Sequence, residues 1–256
     1  MKRLIIIGIA LILSACAGLL GGRSGSSTTG ATSYIITRPE SGNLIIVGVS
    51  GRQSRPEYEI NNAKENAARK ASMYHSVSVT FEEVHDIGVG YLDYYVGSST
   101  KVDYDQQLGT YMERLSYDPE KDVTRNDDGS VFIRFTYSAA SPANFNYTLG
   151  KNPDGSPEWT SRRPNRLNGY IAGVGRSGRL DSISETFIKS CEAAAASIVA
   201  TISTDIGSGD SVTQNQAGSQ IYRQSSGTLR NFLVLETWID PNSRAVYTLA
   251  VAQAAN

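Results

Sequence analysis

Cysteine and histidine each occur only twice in 256 residues. Two cysteines cannot build a disulfide scaffold, and two histidines argue against a His-rich metal site. An excess of positive charge is also missing, because 24 Lys and Arg stand against 25 Asp and Glu for a net charge of −1. Nothing there would neutralise a phosphate backbone, so nucleic acid is not expected as a partner. Charged residues make up 19% and hydrophobic ones 40%, a globular balance that fits neither a disordered chain nor a multi-pass membrane protein.

The amino terminus carries the most specific pattern. Lys2 and Arg3 are followed by an apolar run of ten, Leu4 to Leu13, and then by Leu13-Ser14-Ala15-Cys16. A basic start, a short apolar stretch and small residues before a cut site make a secretory leader. The Leu-small-small-Cys ending resembles the bacterial lipobox. A thiol at Cys16 is what an acyl-transferring enzyme needs, and small side chains before it suit the signal peptidase. The competing reading is an uncleaved anchor over 4–20, which Ser14, Cys16 and Gly18 weaken. Residues 1–15 are therefore expected to be a leader. Residues 16–33 are expected to be a lipidated Cys16 followed by a Gly/Ser/Thr-rich tether. Such a tether reaches about 20–25 Å, and two or three acyl chains on Cys16 would hold firmly. Ala17, in place of an Asp that would favour the inner membrane, points to the outer one.

Globular patterning starts near Tyr34. Asn43 to Val49 is a β-branched apolar run and reads as a buried strand. Ser54, Pro56 and Glu57 look like a capping box. After it, Ile60, Ala63, Ala67, Ala71 and Tyr74 fall on one helix face. Val77, Val79 and Phe81 alternate as a strand, and Ile87–Val96 is expected to return antiparallel after a turn near Asp86. A short helix is expected within 103–115. Asn126-Asp127-Asp128-Gly129 is a turn signal before a closing strand at Val131, Ile133 and Phe135. Four prolines and several Asn and Gly make 141–168 a connector.

The same order then recurs. Tyr170–Gly175 matches Ile45–Ser50, and Ser182–Glu185 is a second capping box. Ile183, Phe187, Cys191, Ala194, Ile198 and Ile202 form a helical stripe, expected to give way to strand toward Asp205. Val212–Ser226 is ambiguous. Leu229–Ile239 and Ala245–Ala252 read as strands around a turn at Asp240–Ser243, and residues 126–139 parallel 240–252. The expected fold class is α+β, with two tandem α/β modules. Each would be a small, mainly antiparallel sheet packed on one Ala-rich helix. The modules would span 34–140 and 169–256, within ordinary domain size.

The second copy resembles the LPP-twenty family of bacterial envelope lipoproteins. The resemblance rests on Pro157-Glu158-Trp159, Pro164, Tyr170-Ile171-Ala172-Gly173-Val174-Gly175, Glu192–Ala196, Trp238-Ile239-Asp240 and Tyr247-Thr248-Leu249-Ala250. It covers about 157–252. It is poorer over 35–139, where Ser50 stands for the second glycine and no Pro-x-Trp lead exists. It implies a periplasm-facing, membrane-anchored module without catalysis, serving flagellar or cell-envelope assemblies in some members. A fold alone does not carry that last step.

Other candidate chemistry reads as structure. Gly173-Val174-Gly175-Arg176-Ser177-Gly178 fits G-x-G-x-x-G, with Asp205 as a late ribose-binding acid. But the helix is expected to begin near Ser182, and no further βαβ units follow. Close strand–helix packing explains these glycines better, so no cofactor is expected. Cys191 lies mid-stripe and reads as a buried small hydrophobe. His75 closes a helix, where its cation would meet the dipole. His85, beside Glu82, Glu83 and Asp86, reads as a solvated turn rather than a cation site. Asn126–Gly129 begins like a calcium loop, yet Tyr137 occupies the twelfth position where Glu is needed.

Tyr91, Tyr94, Tyr95 and Tyr104 form a cluster suited to an interface or to ordinary sheet packing. The expected function is a non-enzymatic lipoprotein, acylated at Cys16 in the outer membrane and facing the periplasm. Its partners would be envelope proteins or further copies of itself. The alternative is a small-ligand or glycan binder with the tyrosines as platform. A dinucleotide enzyme comes last.

Overall fold

A computed structural model describes residues 34–37, 43–87, 93–138, 147–206, 211–215 and 218–255. In the first half, β2 (Leu44–Ser50) is buried along its whole length. It pairs antiparallel with β7 (Val131–Tyr137), from Leu44 opposite Tyr137 to Ser50 opposite Val131. The other edge of β7 takes β5 (Leu115–Ser116) and β6 (Val123–Arg125). Helix α1 (Pro56–His75) buries Ala63, Ala67, Ala68 and Ala71 against this sheet. Small side chains at three- and four-residue steps let the helix lie close to the strands.

The second half repeats the plan. Strand β9 (Tyr170–Ser177) leads to α3 (Ile183–Ile206), and β12 (Val246–Ala254) returns beside β9. Strand β11 (Gly218–Ile239) flanks β12. The polar segment 212–226, ambiguous in sequence, belongs to β10 (Ser211–Asn215) and the start of β11. Helix α3 continues through Asp205, where a change to strand was expected.

The protein is a mixed α+β fold, and every strand pair among the described residues is antiparallel. Its strands are not divided as one small sheet per half. The hairpin of β3 (Val77–Ile87) and β4 (Asp93–Tyr104) leaves the first half and pairs with β11, from Ser219 opposite Ile87 to Leu229 opposite Val77. The larger sheet therefore runs β4-β3-β11-β12-β9-β8, where β8 is Arg166–Leu167; β1 (Tyr34–Ile36) and β10 also pair with β11. The cause lies in the edges. Strands β5 and β6 occupy the edge of β7 that the hairpin would need, while the 22-residue β11 offers a long one. The turn expected near Asp86 is corrected for the same reason, since β3 runs on through Asp86 to Ile87.

The described residues, from Tyr34 on, form one compact unit. One core cluster joins Leu44, Ile46, Ala67 and Phe135 of the first half to Leu233, Leu235 and Val251 of the second. The short helix of 103–115 is α2 (Leu108–Glu113), because β4 extends to Tyr104.

Glycines set the helix–strand distance in both halves. A Cβ on Gly48 would stand 2.0 Å from the Ala63 carbonyl oxygen, and one on Gly175 would stand 2.0 Å from that of Ser190. Hydrogen bonds recur at the same spacing. Ser50 Oγ donates to the Gly51 carbonyl (2.9 Å) and Ser177 Oγ to that of Gly178 (3.0 Å). The Gln53 amide donates to Glu59 Oε1 (3.2 Å), and the Leu180 amide to Thr186 Oγ1 (3.1 Å). Gly48 thus answers to Gly175, and Val47–Arg52 to Val174–Arg179. This corrects the expected alignment of 45–50 with 170–175 by two residues. A two-residue slip along a strand leaves every side chain on the same face, so alternation cannot detect it.

Candidate functional site

Four connections converge at one end of the molecule: the loops after β2 and β9, and the turns before β7 and β12. They enclose a cleft of about 790 Å³, within the range of ligand sites. Local chemistry shapes each wall. Before β7, the Asn126 amide donates to the Ser130 carbonyl, and Asp128 Oδ1 accepts from the Ser130 amide (3.0 Å) and hydroxyl (2.6 Å). Gly129 stands at φ 80°, a left-handed conformation that favours glycine. The stem of Arg52 lies against it, with Cβ 3.1 Å from where a Gly129 Cβ would be. The turn before β12 has Arg244 at φ 58°. Arg244 Nη2 donates to Asp128 Oδ2 across the cleft mouth (2.6 Å).

The floor is held by α1 and the start of α3. Asn66, buried, accepts from the Val49 amide (3.2 Å) and donates to the Ser184 carbonyl and hydroxyl (3.0 Å each). Arg69 bridges Glu185 (2.6 Å) and Glu65 (3.2 Å). Arg125 pairs with the buried Glu59, and that hydrogen bond holds the Glu59 carboxyl below its ordinary value despite burial. Burial pushes Asp128 up, but the hydrogen bonds from Ser130 and Arg244 together bring it below the usual carboxylate range. Arg52, Arg179 and Asp181 also line the cleft, exposed. Among the described residues these three make no hydrogen bond or ion pair.

Behind the floor, β2 pairs on one edge only among the described residues. Lys70 Nζ, buried, donates to the outward Val47 carbonyl (2.7 Å), while Asn66 takes the Val49 amide. Helix positions four apart lie about 6 Å from each other, and strand positions two apart roughly 6.5–7 Å. Two α1 side chains therefore cap one bare strand edge. Burial pulls the Lys70 amine down from its ordinary value.

The residues singled out in sequence are scattered. Cys16 and Tyr91 lie outside the described residues, as do the side chains of His85, Tyr94, Tyr95 and Asp205. Tyr104 is half-buried, and burial raises its hydroxyl. Cys191 is buried in the core, where burial raises its thiol. His75 closes α1 as expected, but its Nε2 meets Tyr137 Oη at 2.8 Å; burial, then Arg114, lowers its pKa.

Of the two expected capping boxes, the second keeps its serine half, with the Glu185 amide donating to Ser182 Oγ at 3.4 Å, while the Glu185 side chain pairs with Arg69. At α1 the capping residue is Arg55 rather than Ser54 and makes no side-chain bond, and Glu59 accepts from the Gln53 amide. Gly173 and Gly175 face α3 and serve packing, whereas a Cβ on Gly178 would meet nothing within 4 Å. Asn126–Gly129 is the expected turn, and Asn152–Ser156 repeats its bonds, with Asp154 Oδ1 accepting from the Ser156 amide (2.9 Å) and hydroxyl (2.6 Å). The shared N-x-D-G-S pattern was legible in sequence.

The Pro157-Glu158-Trp159 lead has a structural use. Trp159, fully buried, donates to Glu236 Oε2 (2.7 Å). Tyr147 donates to Oε1 (3.0 Å), and Tyr34 donates to Oε2 as well. Lys70, Asn66 and Glu236 carried no local sequence signal, since each is a polar residue within a regular element. Comparison with family models, with curated proteins and with solved structures gives no match.

Proposed function

We propose that this chain is a lipid-anchored protein of the bacterial envelope, acylated at Cys16 and seated in the outer membrane. It presents residues 34–256 on a tether to protein partners of an envelope or motility assembly. The observation that carries the reading is Leu13-Ser14-Ala15-Cys16 behind a basic start and a ten-residue apolar run. No helix among the described residues is long and apolar enough to cross a membrane. The resemblance of 157–252 to the LPP-twenty lipoproteins supports the same address. The matched glycine contacts and hydrogen bonds of the two halves support an origin by tandem duplication. Cys16→Ser tests the anchor. The wild type should fractionate with membranes and carry acyl mass on Cys16, and the variant should not. Equal membrane retention of both would overturn the reading. Cross-linking in intact cells followed by mass spectrometry tests the partners.

The cleft favours a second reading, a lipoprotein that binds a small ligand. Its volume suits one, and several lining groups make no hydrogen bond or ion pair among the described residues. The ligand would sit at the loop end of the sheets rather than on the tyrosine strands.

A further inference from the structure

The second reading leaves the ligand open, and the unused groups of the cleft narrow it. Most of the charge lining the cleft is already matched within the protein. Arg69 is held by Glu65 and Glu185, and Arg244 by Asp128. Two guanidinium groups, Arg52 and Arg179, and one carboxylate, Asp181, make no ion pair among the described residues. The lining as a whole balances, with Arg52, Arg69, Arg179 and Arg244 against Glu65, Asp128, Asp181 and Glu185, so guanidinium outnumbers carboxylate only among the groups left for a ligand. The two arginines are not independent accidents of surface composition. They occupy equivalent places, each following a Ser-Gly pair at the end of a strand whose serine hydroxyl closes on the next carbonyl. Both halves thus send one unpaired arginine to the same cleft.

The side-chain amides of Gln53 and Asn62 line the cleft as well, and neither makes a hydrogen bond among the described residues. Each offers both a donor and an acceptor. Apolar area comes from Ile183, Ile239 and Val246. Planar guanidinium forks match carboxylate and phosphate oxygens. Amides that both give and accept match hydroxyl groups, and the isoleucine and valine surface matches carbon-bound hydrogen.

We infer that the cleft binds an anionic saccharide, with Arg52 and Arg179 on its carboxylate or phosphate and Gln53 and Asn62 on its hydroxyls. This rests on the small-ligand reading above and gives it a chemical class.

The test uses the full chain purified in detergent. Three probes are titrated by calorimetry: a galacturonate trisaccharide, glucose 6-phosphate, and neutral maltotriose. Wild type is compared with Arg52→Ala, Arg179→Ala, their double variant, and Arg230→Ala on an exposed strand position outside the cleft. Circular dichroism confirms that the variants fold. Binding is expected for one or both anionic probes and not for maltotriose. Which probe binds tells a carboxylate from a phosphate source. Charge-assisted hydrogen bonds are worth about 1.5–3 kcal/mol, so each cleft variant should weaken binding about tenfold or more. Arg230→Ala should leave it unchanged. Binding of maltotriose as strong as that of the acids overturns this inference and leaves the small-ligand reading standing. Silence from all three probes overturns both. Anionic binding that survives in the double variant places the ligand elsewhere and overturns the site.

Discussion

Lys70 shows how one residue can be read only with its surroundings. In sequence it is an ordinary helix lysine. In the fold its amine is buried against Phe187, 5.4 Å from the ring centroid, and caps the Val47 carbonyl. Its folded pKa lies below the unfolded value near 10.4. Between the two, the unfolded chain binds more protons than the folded one. Stability from this group therefore rises with pH across that window and is lowest below it. Tyr104 and Tyr137, whose hydroxyls are raised by burial, act in the opposite sense at the upper end. The useful quantity is thus the difference between wild type and Lys70→Met. Urea midpoints from pH 7 to 10 should rise relative to the variant as pH increases, and parallel curves would contradict a buried, depressed amine.

The glycines separate packing from ligand binding at the same scale. Gly175→Ala forces a methyl group into the backbone of α3 and should cost more than about 3 kcal/mol or prevent folding. Gly178→Ala has open space and should change stability by no more than about 0.5 kcal/mol. A dinucleotide loop would need both positions; a packing contact needs only the first. Denaturant unfolding of the two variants distinguishes these cases.

Among elements, the helices were the most legible. Alanine spacing located α1 and α3 to within a few residues, because a helix is written in contacts between near neighbours. Their starts were less legible. Two similar Ser-x-x-Glu patterns precede them, but only Ser182 caps. Ser182→Ala should lower stability by about 1 kcal/mol, whereas Ser54→Ala should leave it nearly unchanged. Equal effects in thermal unfolding would contradict the assignment of Arg55 as the first cap. The strands divide in the same way. Strands β2, β7 and β12 follow from their apolar patterns. The polar start of β11 does not, since it is held as strand by pairing with β3 and β10 rather than by its own residues.

Across the whole molecule, the two halves share a sheet through β3 and β11 and share a core through Leu44, Phe135, Leu233 and Val251. They should unfold together. One transition, with fluorescence and circular dichroism superimposed, is expected for the purified full chain. Two separate transitions would show that the halves stand independently. The cleft also belongs to this scale, because its walls come from loops more than a hundred residues apart. Arg52 and Arg179 could be named from sequence as exposed arginines after Ser-Gly pairs, but nothing local brings them to one place.

Order along the chain dictates the leader-like start, the Gly/Ser/Thr-rich stretch after it, the apolar faces and the positions of the main turns, since each depends on residues a few places apart. Pairing of β3 with β11, burial of Lys70 on a bare strand edge, the two-residue register between the halves and the convergence of two arginines on one cleft come from three-dimensional packing. Those features depend on which edges and loops meet across the molecule. Many distant segments compete for that meeting, and the core that excludes water best selects among them.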